Sequence, residues 1–226
     1  MKKIWINTSK SLLYALLAFF IFLMGKIVGQ YIFLDTDVGF LRIKQQYLPN
    51  HFWKISFFIH SFTAIFSLLA GFTQFSKSFL KNHTQLHRVF GKLYVIIVLC
   101  LAAPSGLVLS LYANGHWPSI IGFSVLSVLW FYFTFTAYRQ IRLHKFDKHE
   151  HFMIRSYALS LSAITLRLWK PLIATLFEPN PLFLYQLITW LGFVPNLVFA
   201  EILIKIKKNK KELKKDNPPL HSKQDA

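Results

Sequence analysis

The stretch LYVIIVLCLAAPSGLVLSLYANG, Leu93–Gly115, contains no Asp, Glu, Lys or Arg. Wound as a helix at 1.5 Å per residue, it is long enough to cross about 30 Å of hydrocarbon. A charge-free run of this length is costly to keep in water, so its natural solvent is a bilayer. Ile55–Phe75 and Ile120–Ala137 repeat the pattern. The composition agrees, with 54% hydrophobic residues and 24 Phe in 226, richer than an ordinary globular domain.

Three further segments qualify with charges in them. Leu12–Val28 carries Lys26, Phe152–Phe177 carries Arg155, Arg167 and Lys170, and Leu182–Leu203 carries Glu201. The expected fold is therefore all-α: a polytopic bundle of six transmembrane helices at about 11–30, 53–75, 92–114, 119–138, 152–177 and 182–204. These form one domain, 1–204, followed by a basic tail, 205–226, expected to be disordered beyond an initial helical extension. Barrel strands need alternating polarity, and these runs are apolar all round. Lys2 and Lys3 before an oily run resemble a signal peptide, but FLMGKIVGQ offers no small-residue cleavage site, so the first helix reads as a retained anchor.

The formal charge of +17 is distributed unevenly. Nineteen of the 26 Lys and Arg lie at the N-terminus, between Lys77 and Lys92, between Arg139 and Lys148, and from Lys205 onward. By the positive-inside rule those connections and both termini are cytoplasmic. Lys26, Arg42, Lys44, Lys54 and Lys170 fall on the opposite side. The tail interleaves no aromatic residue with its lysines, which favours lipid headgroups over nucleic acid. Cys100 is the single cysteine, so no intrachain disulfide forms.

On the second helix His60, Ala64, Ser67, Gly71 and Gln74 share a stripe, the small and polar face that packs helices in lipid. On the fifth, Tyr157, Leu161, Ile164 and Leu168 form an apolar sector expected to meet lipid. Arg155, Ser156, Ser160, Ser162, Thr165 and Arg167 lie off that sector and are expected to face the bundle. An arginine at mid-membrane costs about 2.5–3.5 kcal/mol on insertion scales and needs a partner or water. Glu201 is the expected partner of Arg155. Arg167, about 18 Å further along the helix, has no carboxylate at its depth. It either shares a polar cavity with His60 or snorkels outward to the carbonyls freed by Pro171. Proline is expected to interrupt or kink three helices, at Pro104, Pro171 and Pro195. Gly25 and Gly29 match the Gly-x-x-x-Gly packing motif, and no internal repeat stands out.

Histidines gather on the cytoplasmic side: His83 and His87, then His144, His149 and His151. His87 and His151 each open a membrane helix, and two facing imidazoles would suit the axial positions of haem b, with Arg88 or Arg155 on the propionates. A zinc site and proton handling draw on the same residues, as does a role confined to helix ends and lipid phosphates. A phosphate loop, a Gly-x-Ser-x-Gly elbow, His-Glu-x-x-His and Cys-x-x-Cys are all missing, which disfavours a hydrolase.

The blocks LHRVFGKLYV, GFSVLSVLWFYFTFTAYRQI, HEHFMIRSYALSLSAITLRLWKPL and WLGFVPNLVFAE, in that order, resemble the bacterial multipass membrane family called domain of unknown function 2306 (DUF2306). Its motif positions correspond to His87, Arg88, Gly91, Tyr94, His151, Met153, Arg155, Ser156, Tyr157, Thr165, Arg167, Asn196 and Glu201. Phe152 and Phe193 stand where tryptophan is expected. The family has no established activity, so the resemblance implies a topology and singles out these polar residues without a reaction; read from the helices themselves, His60, Arg167, Asn196 and Glu201 are the expected intramembrane polar cluster. A looser likeness to b-type cytochromes and ferric reductases rests on the histidines alone. The expected function is a cytoplasmic-membrane component that binds a small ligand or cofactor, haem b with a redox partner being the most concrete form. The alternatives are a permease for a small anion or protons and a non-catalytic scaffold.

Overall fold

A computed structural model describes residues 2–74, 80 and 82–216, and among these the chain is helical with no strand. In order, the helices are α1 (Lys2–Gly29), α2 (His51–Gln74), α3 (Thr84–Ile96), α4 (Ala103–Ser110), α5 (His116–Arg142), α6 (Phe146–Ser160), α7 (Ser162–Phe177), α8 (Pro181–Leu191) and α9 (Val194–Asp216). A π-helical segment, Ile97–Ala102, joins α3 to α4. Four stretches are long and apolar enough to cross a membrane: His51–Leu69, Thr84–Ser110, His116–Arg142 and Pro181–Leu213. Tyr14–Gly29 adds a shorter apolar helix. The bundle leaves Phe19, Phe22, Phe66, Phe131, Tyr132, Val198 and Phe199 exposed, as lipid rather than water as solvent allows.

The longest contact in the bundle is between α5 and α6, and α2 lies against α1, α3, α4 and α6. Tyr94, Val98, Ala102, Trp130, Met153, Leu159 and Phe193 are the centre of the main core. A second core joins Ile21 and Met24 of α1, Leu68 of α2 and Ile164 of α7, with Leu161 packed against it. This corrects the lipid-facing sector expected on the fifth helix. Tyr157 and Ile164 are buried, and only Leu168 of the four is exposed. In lipid an apolar face does not distinguish a neighbouring helix from a lipid tail, and the Tyr157 hydroxyl takes its acceptor from α2, donating to Leu68 O at 2.9 Å. Ala64 and Ser67 do lie on a packing face, Ser67 fully buried. The side chains of Gly71 and Gln74 fall outside the described residues.

The two last hydrophobic segments are each broken. A turn at Leu161 separates α6 from α7, and Gly192–Phe193 separates α8 from α9. Pro195 accounts for the second break, because it has no N–H and its ring crowds the carbonyl four residues earlier. The first break contains no proline. There, Ser162 Oγ donates to Leu159 O at 2.5 Å, so a hydroxyl competes with the helix ladder for its own backbone. Pro171 does not interrupt: it lies inside a continuous α7. Pro104 sits in the first turn of α4, directly after the π segment.

The connection between α1 and α2 is an ordered cap. Tyr31, Leu41, Trp53 and Phe57 form its core, and Tyr31 Oη accepts Phe40 N at 2.9 Å. Lys44 is 1% exposed. Its ammonium donates to Tyr112 O and Asn114 Oδ1, both at 2.6 Å, and stands 4.8 Å from the Tyr47 ring centroid. It thereby pins the cap to the turn after α4. Burial lowers its pKa from 10.5 to about 8. Between those values the unfolded chain binds the proton that the native chain has released, so stability rises with pH across this window. The thermal midpoint in detergent is expected to climb by roughly 3 °C from pH 7.5 to 9.5. Lys44→Met should flatten that rise; a midpoint that falls over the same interval would contradict the assignment.

The last helix runs on to Asp216, consistent with a tail that begins as a helical extension. Lys207 meets Glu150 at 2.6 Å and Lys211 meets Asp147 at 2.5 Å, so α9 is tied to the start of α6. Residues 217–226 lie outside the described part of the chain.

Candidate functional site

The polar groups of the bundle interior divide into a buried hydroxyl network, a clasp at the two helix breaks, and the ion pair and histidines around them. Tyr94 of α3 is the hub of the network. Its hydroxyl lies 2.6 Å from Ser156 Oγ and 3.1 Å from Ser160 Oγ, and it accepts Trp130 Nε1 at 3.3 Å. Thr134 Oγ1 adds a contact to Ser156 at 2.6 Å. Three helix layers are thus stitched by hydroxyls whose partners are all protein groups. Trp130 and Thr134 went unnoticed in the sequence, where they are one aromatic among many and one threonine; their spacing of four residues is the signal available.

At the clasp, Thr165 Oγ1 donates to Gly192 O at 2.5 Å. Asn196 Nδ2 reaches Thr165 Oγ1 at 3.1 Å, Ala158 O at 3.2 Å and Gly192 O at 3.2 Å. Side chains therefore satisfy carbonyls turned out of both ladders at one level. An interrupted backbone inside a membrane protein is tolerated where such partners exist.

Arg155 forms the expected pair with Glu201. Nε donates to Oε1 at 2.5 Å and Nη2 to Oε2 at 2.8 Å, the two-pronged geometry that suits a guanidinium and a carboxylate. The Phe152 ring centroid lies 5.1 Å from Arg155 Cζ, covering one face of the cation. The Arg155 side chain is 20% exposed and that of Glu201 53%, so the pair marks an edge of the bundle.

Arg167 behaves differently. It does not turn toward Pro171, as outward snorkelling would require; Nη1 donates backward to Ala163 O at 2.7 Å. Side chains on a helix lean toward its N-terminus, which here points the guanidinium at the Leu161 break. Arg167 is exposed along one side of α7. No Asp or Glu among the described residues lies within salt-bridge distance of it.

His60 is held firmly. Its Nδ1 lies 2.8 Å from Ala102 O, the carbonyl that closes the π segment. Its ring fills space that Gly106 leaves open: a Cβ there would stand 2.9 Å from His60 Cε1 and 3.2 Å from Ser127 Oγ.

The histidines proposed as haem ligands address different neighbours. His151 lines an open cleft of about 280 Å³ with Asp147, Glu150, Lys207, Lys208, Lys211 and Glu212. Ser156 faces Tyr94 of α3, and His151 lies about 140° round α6 from Ser156 at 100° per residue. His87 belongs to α3, which packs chiefly on α2, and its Nδ1 is buried there. An iron porphyrin needs two imidazoles aimed at one axis, and in this structure the two histidines lie beside different helices. Arg88 is exposed on α3, and Arg155 is committed to Glu201. The described residues bring together no group of three or more His, Cys, Asp or Glu suited to a metal ion.

Residues 57–204 match the family model described as "Predicted membrane protein (DUF2306)". The chain belongs to this family. The DUF2306 region contains His60, His87, Arg88, His151, Arg155, Arg167, Asn196 and Glu201, and thus every residue of the pair and the clasp. The cap with Lys44 lies outside it. No curated protein and no solved structure matches the chain.

Proposed function

We propose that this DUF2306 protein crosses the cytoplasmic membrane six times, with both termini in the cytoplasm, and binds and passes a small anion at Arg167. The broken pairs α6–α7 and α8–α9 would each count as one span. The excess of Lys and Arg in alternate connections supports the orientation.

The observation that carries the anion reading is the direction of Arg167. A guanidinium has five N–H donors, and this one spends one on a carbonyl while leaning toward the helix break. A cation on a membrane helix with no carboxylate within salt-bridge distance among the described residues is completed by an anion. Interrupted helices beside it are the usual setting for an ion site in a membrane carrier.

The test is anion uptake into liposomes containing the purified protein, with nitrate, chloride, acetate and phosphate as probes at equal concentration. Uptake of at least one probe well above protein-free liposomes is expected. Uptake indistinguishable from empty liposomes for all four would remove the reading. An optical spectrum of the same preparation addresses haem directly: a Soret band with sharp bands on dithionite reduction would replace the carrier reading with a cytochrome.

A further inference from the structure

The cap leaves α1 through a tightly held turn. Ile32 N donates to Gly29 O at 3.2 Å and Leu34 N to Tyr31 O at 2.9 Å, and Leu34 stands at φ 56°. A leucine in the left-handed region is strained, and it persists there only where its surroundings over-determine it. Both flanks supply that constraint. Before the turn, Tyr31 is buried in the cap core and accepts Phe40 N; after it, Asp37 N donates to Asp35 Oδ1 and Arg42 Nη2 to Asp37 O, each at 2.9 Å. The tip so held carries Ile32, Phe33 and Leu34, three consecutive apolar side chains that are all exposed, Phe33 at 92%.

Water is a poor solvent for such a tip, and its level along the chain identifies a better one. Wound at 1.5 Å per residue, the apolar run Leu12–Val28 is about 26 Å long, short of the roughly 30 Å of hydrocarbon even without tilt. The next apolar side chains after that run are those of the turn. They therefore lie where acyl chains give way to headgroups. A second element marks the same level: Lys44 ties the cap to Tyr112 and Asn114, and just beyond them, in the first turn of α5, Trp117 is exposed. Tryptophan is enriched at the boundary between membrane and water. Asp35 and Asp37 follow the tip directly and are exposed, so the change from oily to wet surface is abrupt.

We infer that Ile32, Phe33 and Leu34 form a preformed wedge that seats the cap in the bilayer surface at the end of α1, and that its partner is the outermost part of the lipid acyl chains. The surface of α1 that faces lipid, with Phe19 and Phe22 exposed, thereby continues past the end of the helix. This seat is independent of the anion reading. Gln186 of α8 donates to Gly115 O at 2.9 Å, in the same turn that Lys44 holds, so the wedge sets the height of a connected rim of cap, turn and α8 against the membrane.

A phospholipid bearing a photoreactive diazirine on its acyl chain, mixed into phosphatidylethanolamine and phosphatidylglycerol vesicles that hold the unaltered protein, tests the seat. Adducts mapped by mass spectrometry should fall on Ile32, Phe33 or Leu34 as well as on the exposed Phe19 and Phe22 of α1. Adducts on Phe19 and Phe22 with none on the turn would overturn the wedge. A fluorophore adds depth: Phe33→Cys and Gln46→Cys, the latter on an exposed polar position of the cap, are each combined with Cys100→Ser and labelled in the same vesicles. The label at the Phe33 position should be quenched several-fold more than the other by a nitroxide near the top of the acyl chain, and several-fold less by aqueous iodide. Equal quenching by iodide at the two positions would overturn the proposal. Protection of the Phe33 position from both quenchers would overturn it as well, since protein and not lipid would then cover the tip. Photolabelling uses the unaltered chain, so a cysteine variant that fails to fold does not spare the proposal.

Discussion

Arg167→Leu abolishes anion uptake and raises the thermal midpoint: this is the expected result for a charge kept for a ligand at the expense of the fold. On insertion scales the exchange of a mid-helix arginine for leucine is worth about 3 kcal/mol in favour of the variant. The native compensation is one hydrogen bond to Ala163 O, which in a membrane returns about 1 kcal/mol or less. The variant should therefore be more stable, by several degrees, and inactive. If the arginine instead served only to bind helices together, the same change would lower the midpoint and leave uptake intact. Arg167→Lys separates charge from shape: it keeps the cation but loses the planar fork, so uptake should drop at least tenfold for a planar anion such as nitrate and less for chloride. Thermal scans and uptake on one set of preparations distinguish these outcomes.

Asn196→Leu is the substitution expected to cost most in stability. Its amide supplies Thr165 Oγ1, Ala158 O and Gly192 O, and leucine of similar size supplies none. Hydrogen bonds between membrane helices average about 0.6 kcal/mol each, and carbonyls left bare inside apolar packing add to that. A loss of roughly 2–3 kcal/mol follows, read as a fall in the midpoint and as protease sensitivity near the breaks. Thr165→Val should cost about half as much, since Asn196 still reaches Gly192 O in that variant. Combining the two should cost less than their sum, because they share one network. Full additivity would show that the clasp is not a unit.

The residues of the site were legible to different degrees for physical reasons. Arg155 and Glu201 announced themselves, because two opposite charges near the same ends of adjacent apolar runs have few other ways to be satisfied. Asn196 and Thr165 were visible as polar residues in an oily context, but their shared carbonyls were not, since a broken ladder at Leu161 leaves no proline or glycine to flag it. His87 and His151 show a different side of the reading. The helices start earlier than read, at Thr84 and Phe146, and position along a helix fixes depth but leaves azimuth free, and azimuth decides whether two imidazoles meet. Lys44 was assigned to a connection and proved buried: its amine is held by Tyr112 and Asn114, 68 and 70 residues away in sequence.

The sequence alone determined that the chain is helical and belongs in a membrane, because charge-free runs of this length report their solvent directly. It also determined which polar residues had to find partners there. The tertiary structure alone decided who those partners are. Rotation of each helix about its axis put Tyr157 against α2 instead of lipid, turned Arg167 back toward the break, and left His151 on the α9 side. In hydrocarbon, apolar faces are nearly equivalent in energy, so hydrophobic pattern constrains rotation weakly. Hydrogen-bond satisfaction among a few hydroxyls, amides and carbonyls sets it, and those pairings lie far apart in the chain.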